Sequence, residues 1–338
     1  MWFGELPLSE AEGTILAHSV LSKSDSEGPA RFRKGLVLKS SDIDALRFAG
    51  VERVTVARLD PEDVGEDLAA TRLAEALVPD PSAVGLTVTQ AFTGRVNFHA
   101  VGPGIVDLNV DAIQALNRVD PSITLATLSP NVRVSSGTLV GTVKIISYAV
   151  PEAALDVACD HAQKAVRVLP VVLKTAGLIL TEVPGLPEKL QDKGRQAIES
   201  RLAALGMSLA EHCVIPHDER AIAEKLGEVK GDMVLILTGS ATSDLYDTAP
   251  QAVRRSGGNV ARFGMPVDPG NLLFHGSLGT RPVVGLPGCA RSPALNGADW
   301  ILERLACGLT VSDDDIAAMG IGGLLKEIPI RPHPRERG

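Results

Sequence analysis

Apolar positions along the 338-residue chain change their period at about residue 165. Before that point short periodic runs alternate with turn residues. SDIDALRFAG reads as a helix opened by Ser41 and stopped by Gly50, and VERVTVARL reads as a strand. PEDVGEDLAATRLAEALV has proline in its first turn, early acids and apolar residues at helical spacing, which predicts a second helix. PDPSAVG, near residue 80, reads as a hinge. VDLNVDAIQALNRV then predicts a strand running into a short helix, while ITLATL and GTLVGTVKIISYAV are β-branched runs that predict strands. PEAALDVACDHAQKAVRV, a helix, leads into the second half.

There the continuous apolar run VLPVVLKTAGLILTEV predicts a strand buried on both faces. The helix DKGRQAIESRLAALG, strand LAEHCVIP, helix DERAIAEKLGEV, strand DMVLILTG and helix TAPQAVRRSGG follow in turn. Alternation at this spacing implies right-handed βαβ crossovers. The expected fold class is therefore α/β: a C-terminal three-layer αβα domain with a mostly parallel sheet over 166–310, behind a smaller mixed α+β region over 1–165 with a break near 80. Residues 311–338 form a C-terminal extension. Ligands of such sheets sit beyond the carboxyl ends of the strands, which directs attention to the loops TEVPGLPEK, PHD and TGSATSDLYD.

The chain is 45% hydrophobic but only 3% aromatic, a balance that suits helices packed on a sheet. A net charge of −8 argues against nucleic acid and anionic membranes as partners, since both require a basic face. An anionic ligand must then be held by local dipoles. Cys159, Cys213, Cys289 and Cys307 are far apart and form no CxxC pair, so neither a disulfide framework nor a zinc site is indicated, and a reducing cytoplasm is the expected location. The opening MWFGELPLSEAEG is acidic where a signal peptide is basic, and no run of about 18 apolar residues suggests a membrane span.

Leu237 to Asp244 follows a buried strand and precedes a helix. Small residues there let backbone N–H groups approach a phosphate, hydroxyls add donors, and the helix adds its N-terminal dipole. Such a turn is also a common tight connection, and neither the Walker nor the dinucleotide glycine pattern is present. Taken together, however, TGSATSDLYDTAP, the upstream DKG, IPHD and the downstream VVGLPGCARSPAL resemble the molybdenum-cofactor biosynthesis domain, a family that includes molybdopterin adenylyltransferases and molybdotransferases. The resemblance runs over roughly 168–308, in the family's motif order.

It implies a cofactor-binding set of Thr181, Glu182, Asp192, Thr238, Gly239, Ser240, Ala241, Thr242, Ser243, Asp244, Pro287, Gly288, Cys289, Arg291 and Ser292. Asp218 and Asp247 would be catalytic and would hold Mg²⁺. Two departures stand out: the loop's second glycine is Ser240, and Asp244 stands where the molybdotransferases have a glycine. An extra carboxylate repels phosphate or molybdate unless a cation intervenes. ILAHSV, RFRKGLVL and FTGRVN resemble a divergent molybdotransferase-like subgroup sometimes fused to a nucleotidyltransferase domain, so such a partner is expected in trans, together with a homo-oligomer.

Plainer roles exist for the same residues. Asp218 and Asp247 are also read as helix N-caps, and Asp192 as a cap. Cys289 is a small residue in a tight turn, or a thiolate favoured by a helix dipole. Arg291 pairs a terminal phosphate or is solvated. His18, His99, His217 and His275 lack metal-ligand spacing and read as surface or core residues. Arg31, Arg33 and Lys34 form a solvated basic turn or reach a partner. The expected function is a molybdopterin-binding protein of molybdenum-cofactor biosynthesis, with a Mg²⁺-dependent molybdotransferase-like activity. The alternatives are a noncatalytic cofactor carrier and a nucleotide-processing enzyme on the same fold.

Overall fold

The computed structural model describes residues 1–22, 30–185 and 187–325. They form two units, Met1–Val101 with Val106–Val168, and Gly102–Ile105 with Leu169–Gly338. In the first unit Trp2–Pro7 and Ile15–Leu16 flank the strand Arg53–Arg58 in an antiparallel sheet. Leu16, Ile43, Leu46, Val54 and Val56 close a small core with the helix Ser40–Phe48. A second layer is a four-stranded antiparallel sheet ordered Ile123–Thr127, Leu139–Ile145, Arg95–Ala100, Leu86–Val88. Val96, Phe98, Val143 and Ile145 share one core with Leu73 and Leu77 of the helix Glu66–Leu77 and with Leu155 and Ala158 of the helix Glu152–Ala162.

The second unit is a three-layer αβα sandwich. Its six-stranded sheet runs Ser208–Pro216, Thr175–Glu182, Met233–Leu237, Arg281–Leu286, Phe274–Leu278, Asn259–Phe263. The first four strands are mutually parallel, and the last two are added antiparallel. Strand periodicity decides the layers. Leu178, Leu180, Leu235 and Leu237 pack on one face with Ile198 and Leu202 of the helix Glu188–Ala204 and with Ile301 and Leu302 of the helix Gly297–Ala306. Ile179, Val234 and Ile236 turn to the other face, against Ile222 and Leu226 of Glu219–Glu228 and Ala252 and Val253 of Thr248–Arg255. Each such leucine or isoleucine removed from water contributes about 1.5–3 kcal/mol, which is why the run is apolar without alternation. No helix among the described residues is long and apolar enough to cross a membrane.

Several boundaries differ from the sequence expectation. The helix expected from Ser41 starts at Ser40, because the Asp42 carboxylate reaches back to accept the Lys39 N–H at 2.9 Å. PEDVG does not begin a helix: Asp63–Gly65 pairs antiparallel with Ala149–Pro151, and the helix waits until Glu66. In VLPVVLKTAGLILTEV only Thr175–Glu182 joins the parallel sheet, and Val166–Pro170 is a separate strand. Of the C-terminal extension, the helix Asp313–Ala318, capped by Ser312, is described, whereas 326–338 lie outside the described residues.

Candidate functional site

Four connections leave one edge of the sheet. Glu182 stands opposite Pro216, Leu180 opposite Leu237, and Leu237 opposite Leu286, so the parallel strands end together. The segments 181–185, 187–192, 216–219, 238–247 and 285–292 consequently line the carboxyl edge, where helix N-termini gather.

Hydrogen bonds tie these loops to one another. Thr181 is fully buried, and its hydroxyl oxygen accepts the Gly239 N–H at 2.8 Å while lying 2.9 Å from His217 Nδ1. The His217 N–H donates to the Glu182 carbonyl at 2.9 Å, and Gln191 Nε2 donates to the Thr181 carbonyl at 3.1 Å. Arg291 closes the set by donating to the Thr238 carbonyl at 2.7 Å. The second residue of the cradle has to be glycine for a steric reason: a Cβ on Gly239 would stand 2.6 Å from the Thr181 carbonyl oxygen and 3.2 Å from the Val183 nitrogen.

Behind the last loop stands Arg201, from the helix Glu188–Ala204. Its guanidinium pairs with Asp299 at 2.6 Å and donates to the carbonyls of Ala290, Ser292 and Ala294 at 2.9, 2.7 and 3.0 Å. It therefore fixes the path of the chain after the Gly285–Gly288 turn. Arg291 itself is half-buried, forms no ion pair among the described residues, and has an Nε without a hydrogen-bond partner. Burial lowers its pKa, the expected sign for a cation removed from water.

Ser240, Ala241, Ser243 and Asp244 are exposed at the cradle's rim, while Thr242 and Pro287 are buried. Asp244 accepts the Tyr246 N–H at 2.8 Å, so its carboxylate is engaged within its own turn. Glu182, Asp192, Asp218 and Gly288 are exposed. Asp192 is not a cap: the helix begins after Pro187, placing Asp192 in its second turn, 3.8 Å from Arg195. Cys289 is half-buried and burial pushes its thiol pKa up, which disfavours a thiolate there. Ser292 contributes its carbonyl to Arg201.

Asp218 and Asp247 are both helix N-caps. One Asp218 oxygen accepts the N–H groups of Arg220 and Ala221 at 3.0 and 3.1 Å. Asp247 accepts from the Thr248 N–H at 2.6 Å through one oxygen and from the Ser243 N–H at 2.9 Å through the other. Among the described residues no three carboxylate, histidine or cysteine side chains converge as metal ligands. Asp218 and Asp247 therefore do not form a self-contained cation site of three protein ligands.

Burial pushes the Asp247 carboxyl up, but the hydrogen bonds from Ser243 and Thr248 outweigh it and hold the pKa below the ordinary carboxylate value. A depressed folded pKa gives stability that is complete above the unfolded value of about 3.9 and disappears as pH falls through the folded value. Asp247→Ala is therefore expected to lower stability by about 1 kcal/mol at pH 7, with the difference from wild type shrinking as pH falls through the folded value. Denaturant melts at neutral pH and along an acid series check this, and a pH-independent difference would refute the cap assignment.

The sequence reads His217 only as a surface or core residue, and does not single out Gln191 or Arg201. A signal existed for the last two. Gln191, Gly194, Ile198 and Leu202 form the buried stripe of their helix, so a glutamine on that stripe, and an arginine beside it, had to find buried partners.

Residues 175–306 match the profile of a family described as "Probable molybdopterin binding domain", and residues 5–58 match a domain of unknown function. Residues 175–306 are thus similar to the molybdopterin-binding domain, a match that covers well under half of the chain. Among solved structures it is similar to the molybdopterin biosynthesis MoeA protein of Pyrococcus horikosii, with 14% identity over 91% of this chain and 76% of that one, at a TM-score of 0.31. A molybdenum cofactor biosynthesis protein of Pyrococcus furiosus aligns at 11% identity over 94% of this chain, at a TM-score of 0.23. The chain spans 65% of the length of that protein. A search of curated proteins returns no match.

Proposed function

We propose that the second unit holds molybdopterin over the carboxyl edge of its sheet, with the phosphate at the 238–243 cradle and Arg291 beside it. The observation that supports this reading is the hydrogen-bonded tie of all four edge loops through Thr181, Gly239, His217 and Arg291, which presets their spacing before a ligand arrives. The departures of the loop at Ser240 and Asp244, the second an extra carboxylate that repels an anion, favour a cofactor carrier over a Mg²⁺-dependent molybdotransferase. A carrier of this kind would hand its cargo to a nucleotidyltransferase acting in trans.

Anaerobic calorimetric titration with molybdopterin tests binding. Incubation of the loaded protein with molybdate and Mg²⁺ tests turnover, and molybdenum insertion would replace the carrier reading by the transferase one. Arg291→Gln is expected to weaken molybdopterin binding about tenfold or more, the scale of one charge-assisted hydrogen bond to an anion, with Arg291→Lys recovering part of the loss. An Arg291→Gln protein that binds as well as wild type would remove Arg291 from the phosphate site.

A further inference from the structure

The orientation and proton position of the His217 ring follow from Thr181. The buried Thr181 oxygen has two partners among the described residues, the Gly239 N–H and His217 Nδ1. An N–H can only donate, so the oxygen accepts from Gly239. The hydroxyl proton then has one acceptor in reach, the Nδ1 lone pair. A proton on Nδ1 instead would leave the Thr181 O–H buried and unpaired, at the cost of an unmade hydrogen bond. The neutral ring therefore carries its proton on Nε2.

That nitrogen is the free one. His217 is half-buried, its Nδ1 edge faces fully buried Thr181, and its Nε2 has no hydrogen-bond partner among the described residues and is absent from the buried, unsatisfied atoms. His217 stands between the strand end Ser208–Pro216 and the cap Asp218, in one of the four edge loops, and shares its anchoring hydroxyl with the backbone of the phosphate cradle. We infer that His217 is a ligand-binding residue that offers an Nε2–H donor to an acceptor oxygen of the bound molecule, a phosphate oxygen above all, and that Thr181 is the positioning residue that sets its tautomer. This rests on the molybdopterin-binding reading and names a contact within that site.

The test uses the full chain with ¹⁵N-labelled histidine. Ring spectra of the unliganded protein are expected to show His217 protonated at Nε2 and bare at Nδ1. Thr181→Val, which keeps the shape and loses the hydroxyl, should abolish that preference, and Thr181→Ser should restore it. Inorganic phosphate should shift the His217 Nε2 resonance, and anaerobic titration with molybdopterin should show His217→Ala binding about tenfold more weakly, with His217→Gln recovering part of the loss through its amide N–H. A proton on Nδ1 in the wild-type chain, or His217→Ala binding molybdopterin within twofold of wild type, overturns the inference. If the wild-type chain binds no molybdopterin, the functional reading fails and the phosphate shift decides this one: a shifted Nε2 resonance supports it and an unmoved one overturns it.

Discussion

Arg201→Met is expected to cost about 3–5 kcal/mol of unfolding free energy, the largest effect of any single change at the site, because it leaves a buried charge without its partner. The two side chains of the Arg201–Asp299 pair are 9% and 10% exposed, so water cannot replace the lost contact. Asp299 would keep only the Asn296 N–H at 2.8 Å, and the carbonyls of Ala290, Ser292 and Ala294 would lose their shared donor. For a unit of this size each kcal/mol moves the melting temperature by about 2–4 °C, so a fall on the order of 10 °C is expected by scanning calorimetry. Adding Asp299→Asn to Arg201→Met should restore part of the loss, since it removes the orphaned charge. Arg201→Lys should fall between wild type and methionine, because a point-charge ammonium cannot span an aspartate and three carbonyls at once. A single-variant loss below about 1 kcal/mol, the level of an exposed pair, would show that Arg201 is not the brace of this loop.

Two strands of the parallel part, Thr175–Glu182 and Met233–Leu237, were legible from sequence because their centres are unbroken apolar runs, whereas Arg281–Leu286 was not read as a strand. Met233–Leu237 is buried at every position, as expected of a strand covered on both faces. The antiparallel additions Asn259–Phe263 and Phe274–Leu278 were not singled out. They are short, Gly276 interrupts one, and half-exposed residues in both break the alternation that marks a strand. Asp63–Gly65 was hidden for a related reason. A three-residue strand exists only because Ala149–Pro151, far along the chain, is there to pair with it.

At the site the same division appears. The cradle residues and the two capping aspartates were readable because a strand, a small-residue turn and a helix start are all local. Asp218 and Asp247 show that a local signal identifies a position without identifying its use, since a cap and a metal ligand require the same residue. The ties among the loops were not readable. Thr181 meets Gly239 across 58 residues and Arg201 meets Asp299 across 98, and only the order of the strands brings them together.

Gly239→Ala tests whether that convergence matters to binding. The added methyl would stand 2.6 Å from the Thr181 carbonyl oxygen, 3.2 Å from the Val183 nitrogen and 3.3 Å from the Glu182 carbonyl carbon. All three are backbone atoms, so no side chain can swing aside, and the 238–243 loop has to move away from the strand that ends at Glu182. The displacement stretches or breaks the 2.8 Å hydrogen bond from the Gly239 N–H, and the Thr181 hydroxyl loses its buried donor. Overpacking of this kind costs about 1–3 kcal/mol, visible as a lowered denaturant midpoint with an unchanged slope. Affinity should fall further than stability, because N–H groups that converge on a phosphate lose their aim with a shift of about 1 Å. Molybdopterin binding is expected to weaken by at least about tenfold in protein that is still folded by circular dichroism. Gly227→Ala, in the helix Glu219–Glu228 with open space around the added Cβ, supplies the control: it lies outside the cradle and should leave affinity within about twofold of wild type without lowering stability. Should Gly239→Ala retain wild-type affinity while its midpoint falls, the glycine serves packing alone and the phosphate lies elsewhere on the edge.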